Sequence, residues 1–370
     1  MRDQAELKIL FDGHWWFDGP PSGRNVLQSL VSTWHELFPN DHLTMEVPRT
    51  AKVRVHEIQL RLPRLKVRLR PSGIHALGVV GRIGVRGKFD SIVTQNFVAP
   101  LTNQHRTVFL HDAMFQSHPQ WFSRRERIYL GLIPCLLKHA DLVVTSSRAE
   151  ADRIQSMNPR IAAKVVAVGL GVPNGFREAR PRRPAFDITA KSFLLTVGRL
   201  NVRKNINTLV HALAAKDIIS EEFPLVIVGS PDGQLGDQTS LQSGIRNRSV
   251  ILGQSVDDHQ LKWLYQNCSA FVFPSLDEGF GLPVVEAMDA KAKIALSAIP
   301  PFLEFGDVGK FFDPYDHSDI AEKVVSAVHG DLMTTNSDLV GEYCWTRVVR
   351  SLRLAIQESI SRIGEGPGGI

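Results

Sequence analysis

Short apolar runs recur along the chain, separated by stretches in which apolar residues return every three or four positions. Residues 7–11, 108–110, 142–145, 165–168, 194–197, 225–228, 250–252 and 270–273 are dominated by Val, Leu, Ile, Phe and Ala. Runs this short without regular polar alternation predict strands buried on both faces, as in a parallel sheet. Between them, Ile206, Leu209, Val210 and Leu213 share one face of a predicted helix. Val348, Val349, Leu352, Leu354, Ile356, Ile360 and Ile363 mark a closing helix over residues 345–363, with a mixed pattern suited to packing against more than one surface. The alternation predicts an α/β chain.

A chain of 370 residues exceeds the usual size of one core. The stretch 177–186, Arg-Glu-Ala-Arg-Pro-Arg-Arg-Pro-Ala-Phe, is rich in charge and proline and poor in core residues, which predicts an interdomain linker. The expected organisation is one α/β domain over residues 1–180, a second over 181–345, and a closing helix over 346–370. No apolar run approaches the length of a membrane span, and the opening Met1-Arg2-Asp3-Gln4-Ala5-Glu6 carries acids where a signal peptide needs bases. Three widely spaced cysteines, Cys135, Cys268 and Cys344, suit neither a disulfide framework nor a zinc site. A cytoplasmic protein is expected.

The net charge of +5 is concentrated. Arg49, Lys52, Arg54, Arg61, Arg64, Lys66, Arg68, Arg70, Arg82, Arg86 and Lys88 fall within residues 49–88, where Glu57 is the only acid. Such a stretch suits a solvated face, anionic lipid headgroups, which would place the protein peripherally on the inner face of a membrane, or a phosphorylated acceptor. Nucleic acid is not expected as a partner, because interleaved aromatics and helix-turn-helix or zinc-finger spacing are absent.

The candidate chemistry lies in two places. Residues 271–288 read Phe-Val-Phe-Pro-Ser-Leu-Asp-Glu-Gly-Phe-Gly-Leu-Pro-Val-Val-Glu-Ala-Met, which predicts strand, glycine loop and helix. Glu278 sits in the loop, and Gly279, Phe280, Gly281 and Leu282 bring backbone amides toward a ligand. Pro283 suits the first helical position, which would place Glu286 in the first turn. A helix N-terminus favours phosphate, and flanking carboxylates accept hydrogen bonds from sugar hydroxyls. A nucleotide sugar carries both groups. Two glutamates eight positions apart also occur by chance as solvated charges, so the spacing alone is weak. Residues 198–205, Gly-Arg-Leu-Asn-Val-Arg-Lys-Asn, close a predicted strand and open the helix that begins with Ile206. Arg199 and Lys204 are positioned to clamp a diphosphate, with Arg203 the weaker candidate.

Competing signatures are missing. Gly169-Leu170-Gly171-Val172-Pro173-Asn174-Gly175 has the wrong spacing for a dinucleotide fingerprint, as do Gly81, Gly84 and Gly87. There is no Walker A sequence and no Asp-x-Asp, so no metal site is expected and protein groups must meet the phosphate charge.

The segment from Glu278 to Glu286 closely resembles the E-x(7)-E signature of retaining glycosyltransferases of family 4, whose GT-B fold has two Rossmann-like domains with parallel sheets facing across a cleft. The resemblance covers nearly the whole chain, strongest over residues 195–314 and weakest over 49–90. It implies a mannosyltransferase-like enzyme that transfers a hexose, with retention, from a nucleoside diphosphate sugar to a glycan or lipid-linked acceptor in envelope polysaccharide synthesis. The donor would be GDP-mannose or a UDP-sugar, with no other cofactor. The carboxylate matching Glu286 would hold the ribose, that matching Glu278 would approach the transferred sugar, and Arg199 and Lys204 would hold the diphosphate. His111-Asp112 matches a His-Asp pair that faces the donor sugar in many members, although His111 also suits a core or capping role. Gly23 matches a loop glycine over the diphosphate and acceptor, but the usual tandem glycine is Ser22-Gly23 here. His14, Trp15 and Trp16 stand in the same loop and suit either stacking on an acceptor or core packing. A glycine turn usual after the Glu-Ala-Met helix is replaced by Asp289-Ala290-Lys291-Ala292-Lys293. A GT-B nucleotide-sugar epimerase and a noncatalytic sugar-nucleotide-binding module are the alternatives; a pyridine-nucleotide dehydrogenase ranks last for want of a fingerprint.

Overall fold

The computed structural model describes residues 5–76, 79, 87–231, 236–253, 256–331 and 341–364. Arg82 and Arg86 of the basic stretch, with Gly81 and Gly84, lie outside the described residues. The chain forms two compact units, the first from Met1–Ser117, Arg125–Leu170 and Cys344–Ile370, the second from His118–Arg124 and Gly171–Tyr343.

The first unit is built on a parallel sheet of seven strands: β1 (Lys8–Asp12), β2 (His42–Pro48), β3 (Lys66–Arg70), β4 (Ser91–Gln95), β5 (His105–Phe109), β6 (Leu142–Thr145) and β7 (Val165–Ala167), in the order β3-β2-β1-β4-β5-β6-β7. The second unit has six parallel strands: β8 (Leu194–Val197), β9 (Leu225–Val228), β10 (Val250–Gly253), β11 (Ala270–Phe273), β12 (Ile294–Ser297) and β13 (Lys310–Phe312), in the order β10-β9-β8-β11-β12-β13. Both sheets reverse their winding beside the first strand, between β1 and β4 and between β8 and β11. The carboxyl ends of the strands at such a reversal are the usual ligand position in a doubly wound sheet.

The apolar runs mark β1 and the strands from β5 to β11, the edge strands β7 and β10 among them. β2, β3, β4, β12 and β13 were not legible as continuous runs, and β3, Lys-Val-Arg-Leu-Arg, is a charged edge strand, a composition that discourages pairing with another chain. That strand also corrects the reading of the basic stretch as one surface. Arg49, Lys52, Arg54, Arg61, Arg64, Lys66, Arg68 and Lys88 are exposed, but Arg70, at the end of β3, is buried against Asp12.

In the second unit the helix Ile206–Ala214 buries Ile206, Leu209, Val210 and Leu213 against the sheet, as its periodicity predicts. The chain enters this unit at Gly171, before the proline-rich stretch expected to mark the boundary. The short helix Asn174–Glu178 explains why: Phe176 is buried against Tyr265, with ring centroids 5.7 Å apart, and Lys262 Nζ donates to the carbonyls of Phe176 and Arg177.

The helix Trp345–Gly364 packs within the first unit. Arg353, 2% exposed, donates from Nε (2.8 Å) and Nη2 (2.9 Å) to the Asp41 carboxylate, which also accepts from Trp34 Nε1 and the Leu7 amide. Leu354 and Ile363, two of the apolar positions of this helix, face solvent.

Candidate active site

In the second unit the loops after β8 and β11 meet at the point where the sheet reverses. Gly198 follows β8, and its missing side chain leaves room for that of Lys204: an added Cβ would stand 3.0 Å from Lys204 Cε. The chain then turns through a short 3₁₀ helix, Val202–Lys204, capped by Asn201, whose Oδ1 accepts from the Lys204 amide. The Leu276 amide donates to the Arg203 carbonyl at 2.8 Å, which joins this turn to the loop after β11.

Glu278 is the centre of that junction. Its carboxylate is 8% exposed and accepts from Lys204 Nζ at 2.5 Å, Arg203 Nη1 at 2.6 Å and Ser275 Oγ at 2.8 Å. Burial alone would raise its pKa, but Arg203 and Lys204 outweigh burial and hold it down at about 2. Lys204 is itself buried, over the Phe273 ring, and burial pushes its ammonium down to about 8 while Glu278 opposes the shift. Glu278 therefore stays ionised at neutral pH, and Lys204 remains mostly protonated because of it. Arg199 is exposed on the same turn, close enough to depress Lys204 electrostatically. Asp277, 6% exposed, accepts from the Glu278 amide and lies 3.5 Å from His118, whose ring stacks on Trp121 at 4.1 Å. Three cations and two carboxylates thus converge, leaving net positive charge for an anion.

The structure brings Glu278 and Lys204 together, and Arg203 turns inward onto Glu278 as closely as Lys204 does. Adjacent bases on a loop give no sequence signal for which one turns in. Tyr265 also went unmarked: its hydroxyl donates to Glu286 Oε2 at 3.1 Å from a fully buried ring. The helix begins at Leu282, so Glu286 is its fifth residue, beyond the first turn expected for it. Its carboxyl is buried, and burial, reinforced by Asp258 and Asp289, pushes its pKa up to about 8 despite the Tyr265 bond.

The glycine loop is packed as well as open. Gly281 adopts φ +108°, and a Cβ there would stand 2.7 Å from Phe302, which stacks on Phe273. Phe280 is buried against Phe305 and Tyr343, Gly279 is buried, and Leu282 is half-buried. Where a glycine turn is usual after this helix, Lys291 takes the left-handed conformation (φ +58°), and Ala292 N donates to Ala287 O in a helix-ending turn. The departure in sequence leaves the turn intact at a cost of about 1–2 kcal/mol.

His111 and Gly23 belong to the first unit. His111, two positions past β5, sits between the rings of Trp15 (5.4 Å) and Phe109 (4.9 Å), and its Nε2 lies 2.6 Å from Gln95 Oε1. Burial pushes its pKa down to about 4, so the imidazole is neutral near pH 7. Gly23 lies inside the helix Pro21–Leu37 and not in a loop before it; a Cβ there would stand 2.6 Å from the Trp15 ring. The close approach of that indole gives the glycine a packing role.

Residues 181–338, which contain every site residue described above between Arg199 and Glu286, match the family Glycosyl transferases group 1. The match covers less than half of the chain. The chain is 26% identical over 245 residues to the O-antigen chain mannosyltransferase B of Escherichia coli, covering 64% of each chain. It is 26% identical over 216 residues to the O-antigen chain mannosyltransferase RfbU of Salmonella typhimurium, covering 58% of this chain and 57% of the relative. The matches thus span less than two thirds of either relative's length. Among solved structures, the sucrose-phosphate synthase of Thermosynechococcus elongatus superposes with a TM-score of 0.70 at 15% identity, over 96% of this chain and 100% of that one. The fold is GT-B, two Rossmann-like domains each on a parallel sheet.

Proposed function

We propose that this protein is a retaining glycosyltransferase that moves a hexose, mannose first among the candidates, from a nucleoside diphosphate sugar to a glycan or lipid-linked acceptor of a cell-envelope polysaccharide. The observation that carries the reading is the buried Lys204–Glu278–Arg203 cluster beside Arg199 at the reversal point of the second sheet. The two mannosyltransferase relatives support the choice of sugar.

In this reading the bond between the anomeric carbon and the diphosphate oxygen breaks as the acceptor hydroxyl attacks the same face, and the hydroxyl proton passes to the departing oxygen. Arg199 and Lys204 stabilise the charge that develops there, while Glu278 holds the sugar and keeps Lys204 protonated. No metal or further cofactor takes part. A panel of GDP-mannose and UDP-hexoses against a mannose-bearing acceptor tests the reading; donor turnover that needs no acceptor would instead indicate epimerisation or hydrolysis.

Glu286 holds the ribose hydroxyls. Those donors favour the carboxylate, so binding must release the proton that burial retains. The affinity for the nucleotide sugar is expected to rise about tenfold per pH unit below pH 8, with proton release seen by calorimetry in two buffers of different ionisation enthalpy. Glu286→Gln should abolish both effects; equal pH dependence in the variant would remove Glu286 from this role. The sign for folding is opposite: the folded state retains a proton that the unfolded carboxyl loses near pH 4.5, so the group costs stability as pH rises through about 8.

The protein acts at an anionic membrane surface. No helix among the described residues is long and apolar enough to cross a membrane. The exposed bases from Arg49 to Arg68 are joined by Val53 (78% exposed) and Leu60 (82%), a combination suited to the headgroup region. Co-sedimentation with phosphatidylglycerol vesicles should fall steeply between 50 and 500 mM salt, values set by roughly a threefold change in Debye length; salt-independent or absent binding would contradict it.

A further inference from the structure

Four buried nitrogen atoms at the carboxyl ends of β1, β3 and β4 and just beyond lack hydrogen-bond partners: Arg70 Nε and Nη1, His75 Nδ1 and Gln95 Nε2. Arg70 and His75 are 4% exposed and Gln95 is 1% exposed. One carboxylate organises them. Asp12, fully buried at the end of β1, accepts from Arg70 Nη2 at 2.9 Å through Oδ1 and lies 2.5 Å from His75 Nε2 through Oδ2. Because both side chains grip the same carboxylate, their unpartnered atoms belong to one cluster. Gln95 joins it through His111, whose ring, like that of His75, packs on Trp15. The half-buried His14 stacks on His75 at 4.5 Å, with a pKa pushed down to about 4 chiefly by burial. The cluster lies at the β1/β4 reversal of the first sheet, the counterpart of the site in the second unit.

An unpartnered buried donor costs about 1–3 kcal/mol, so Arg70 Nε, Arg70 Nη1 and Gln95 Nε2, gathered at the carboxyl ends of these strands, call for a ligand rich in acceptors. The guanidinium is a permanent cation with N–H groups in a fixed plane, the geometry that matches phosphate or carboxylate oxygens. Asp12 offsets one charge of the cluster.

We propose that Arg70, His75 and Gln95, positioned by Asp12, form an oxyanion site in the first unit that recognises a phosphate or uronate carboxylate on the acceptor glycan. The proposal rests on the transferase reading and names the acceptor chemistry. Three acceptors distinguish the sources: a neutral alkyl glycoside, its sugar phosphate and its uronic acid form. Wild-type protein is expected to favour one charged acceptor by at least tenfold in kcat/KM. In Arg70→Lys, which keeps the charge and one bond to Asp12 but loses Nε and Nη1, that ratio should fall at least tenfold through KM. His75→Asn is the second variant, and melting curves check that both fold.

A direct readout separates this proposal from the transferase reading. Inorganic phosphate or glucuronate, titrated into the full-length protein, should shift the His75 ring-nitrogen resonance in wild type and much less in Arg70→Lys. Absence of sugar transfer with that shift intact would refute the transferase reading alone. No shift, equal use of the three acceptors, or a variant that slows all three alike or only weakens nucleotide-sugar binding would overturn the oxyanion site.

Discussion

Glu278→Ala is expected to lose sugar transfer by at least two orders of magnitude and to destabilise the fold by about 3–5 kcal/mol, whereas Lys204→Met should lose transfer to a similar degree with a smaller stability loss. The asymmetry follows from the junction between the two loops. Removing Glu278 strands two cations, one of them the buried Lys204, whose ammonium is already pushed down to about 8. Without its counter-charge Lys204 deprotonates near neutral pH, so the variant loses both the sugar contact and the cation. Removing Lys204 instead leaves Glu278 held by Arg203 and Ser275. Urea denaturation and transfer kinetics on both variants measure this ordering. If Glu278→Ala melts like wild type, the buried cluster does not hold the two loops together.

The same junction fixes an acid limb. The folded pKa of Glu278, about 2, lies below its ordinary 4.5, so its contribution to stability is present above pH 4.5 and is lost as pH falls toward 2. A shift of that size corresponds to roughly 3 kcal/mol. Glu278→Ala should lack this part of the wild-type acid transition.

Arg353→Leu is expected to destabilise the first unit by about 3–5 kcal/mol, enough to unfold it on mild heating. The reason lies 312 positions away in sequence, where Asp41 receives the bidentate guanidinium, an indole N–H and a backbone amide at 2% side-chain exposure. Leucine fills much of the space but leaves the carboxylate buried with two neutral donors. The double variant Arg353→Leu with Asp41→Asn should recover part of the loss, because no uncompensated charge then remains. A first unit that melts unchanged in the single variant would show that the closing helix is held by apolar packing alone.

What the sequence revealed follows the physics of each signal. β8, β9 and β11 are flanked on both faces and read as unbroken apolar runs, and the helix after Lys204 shows its buried face at helical spacing. The edge strand β3 spends its alternate positions on charge, so it read only as part of a basic stretch, and Arg70 was indistinguishable there from its exposed neighbours. Glu278 and Lys204 stand 74 positions apart, and no local pattern states that they touch. Their pairing follows from the sheet order, which brings the ends of β8 and β11 side by side. Arg203 and Tyr265 became visible only through that geometry, since an inward-turning loop base and a buried tyrosine carry no periodicity. Glu286 was legible as a residue, while its raised pKa depends on Asp258, Asp289 and the burial around them.

The central claim, sugar transfer with retention by a diphosphate-holding cation site, is tested most directly by proton NMR of the product formed from GDP-mannose and a mannose-bearing acceptor. The account predicts a new linkage with the α configuration of the donor, absent when Lys204 is replaced by Met. A β-linked product, or an α-linked product formed as fast by Lys204→Met as by wild type, would contradict it.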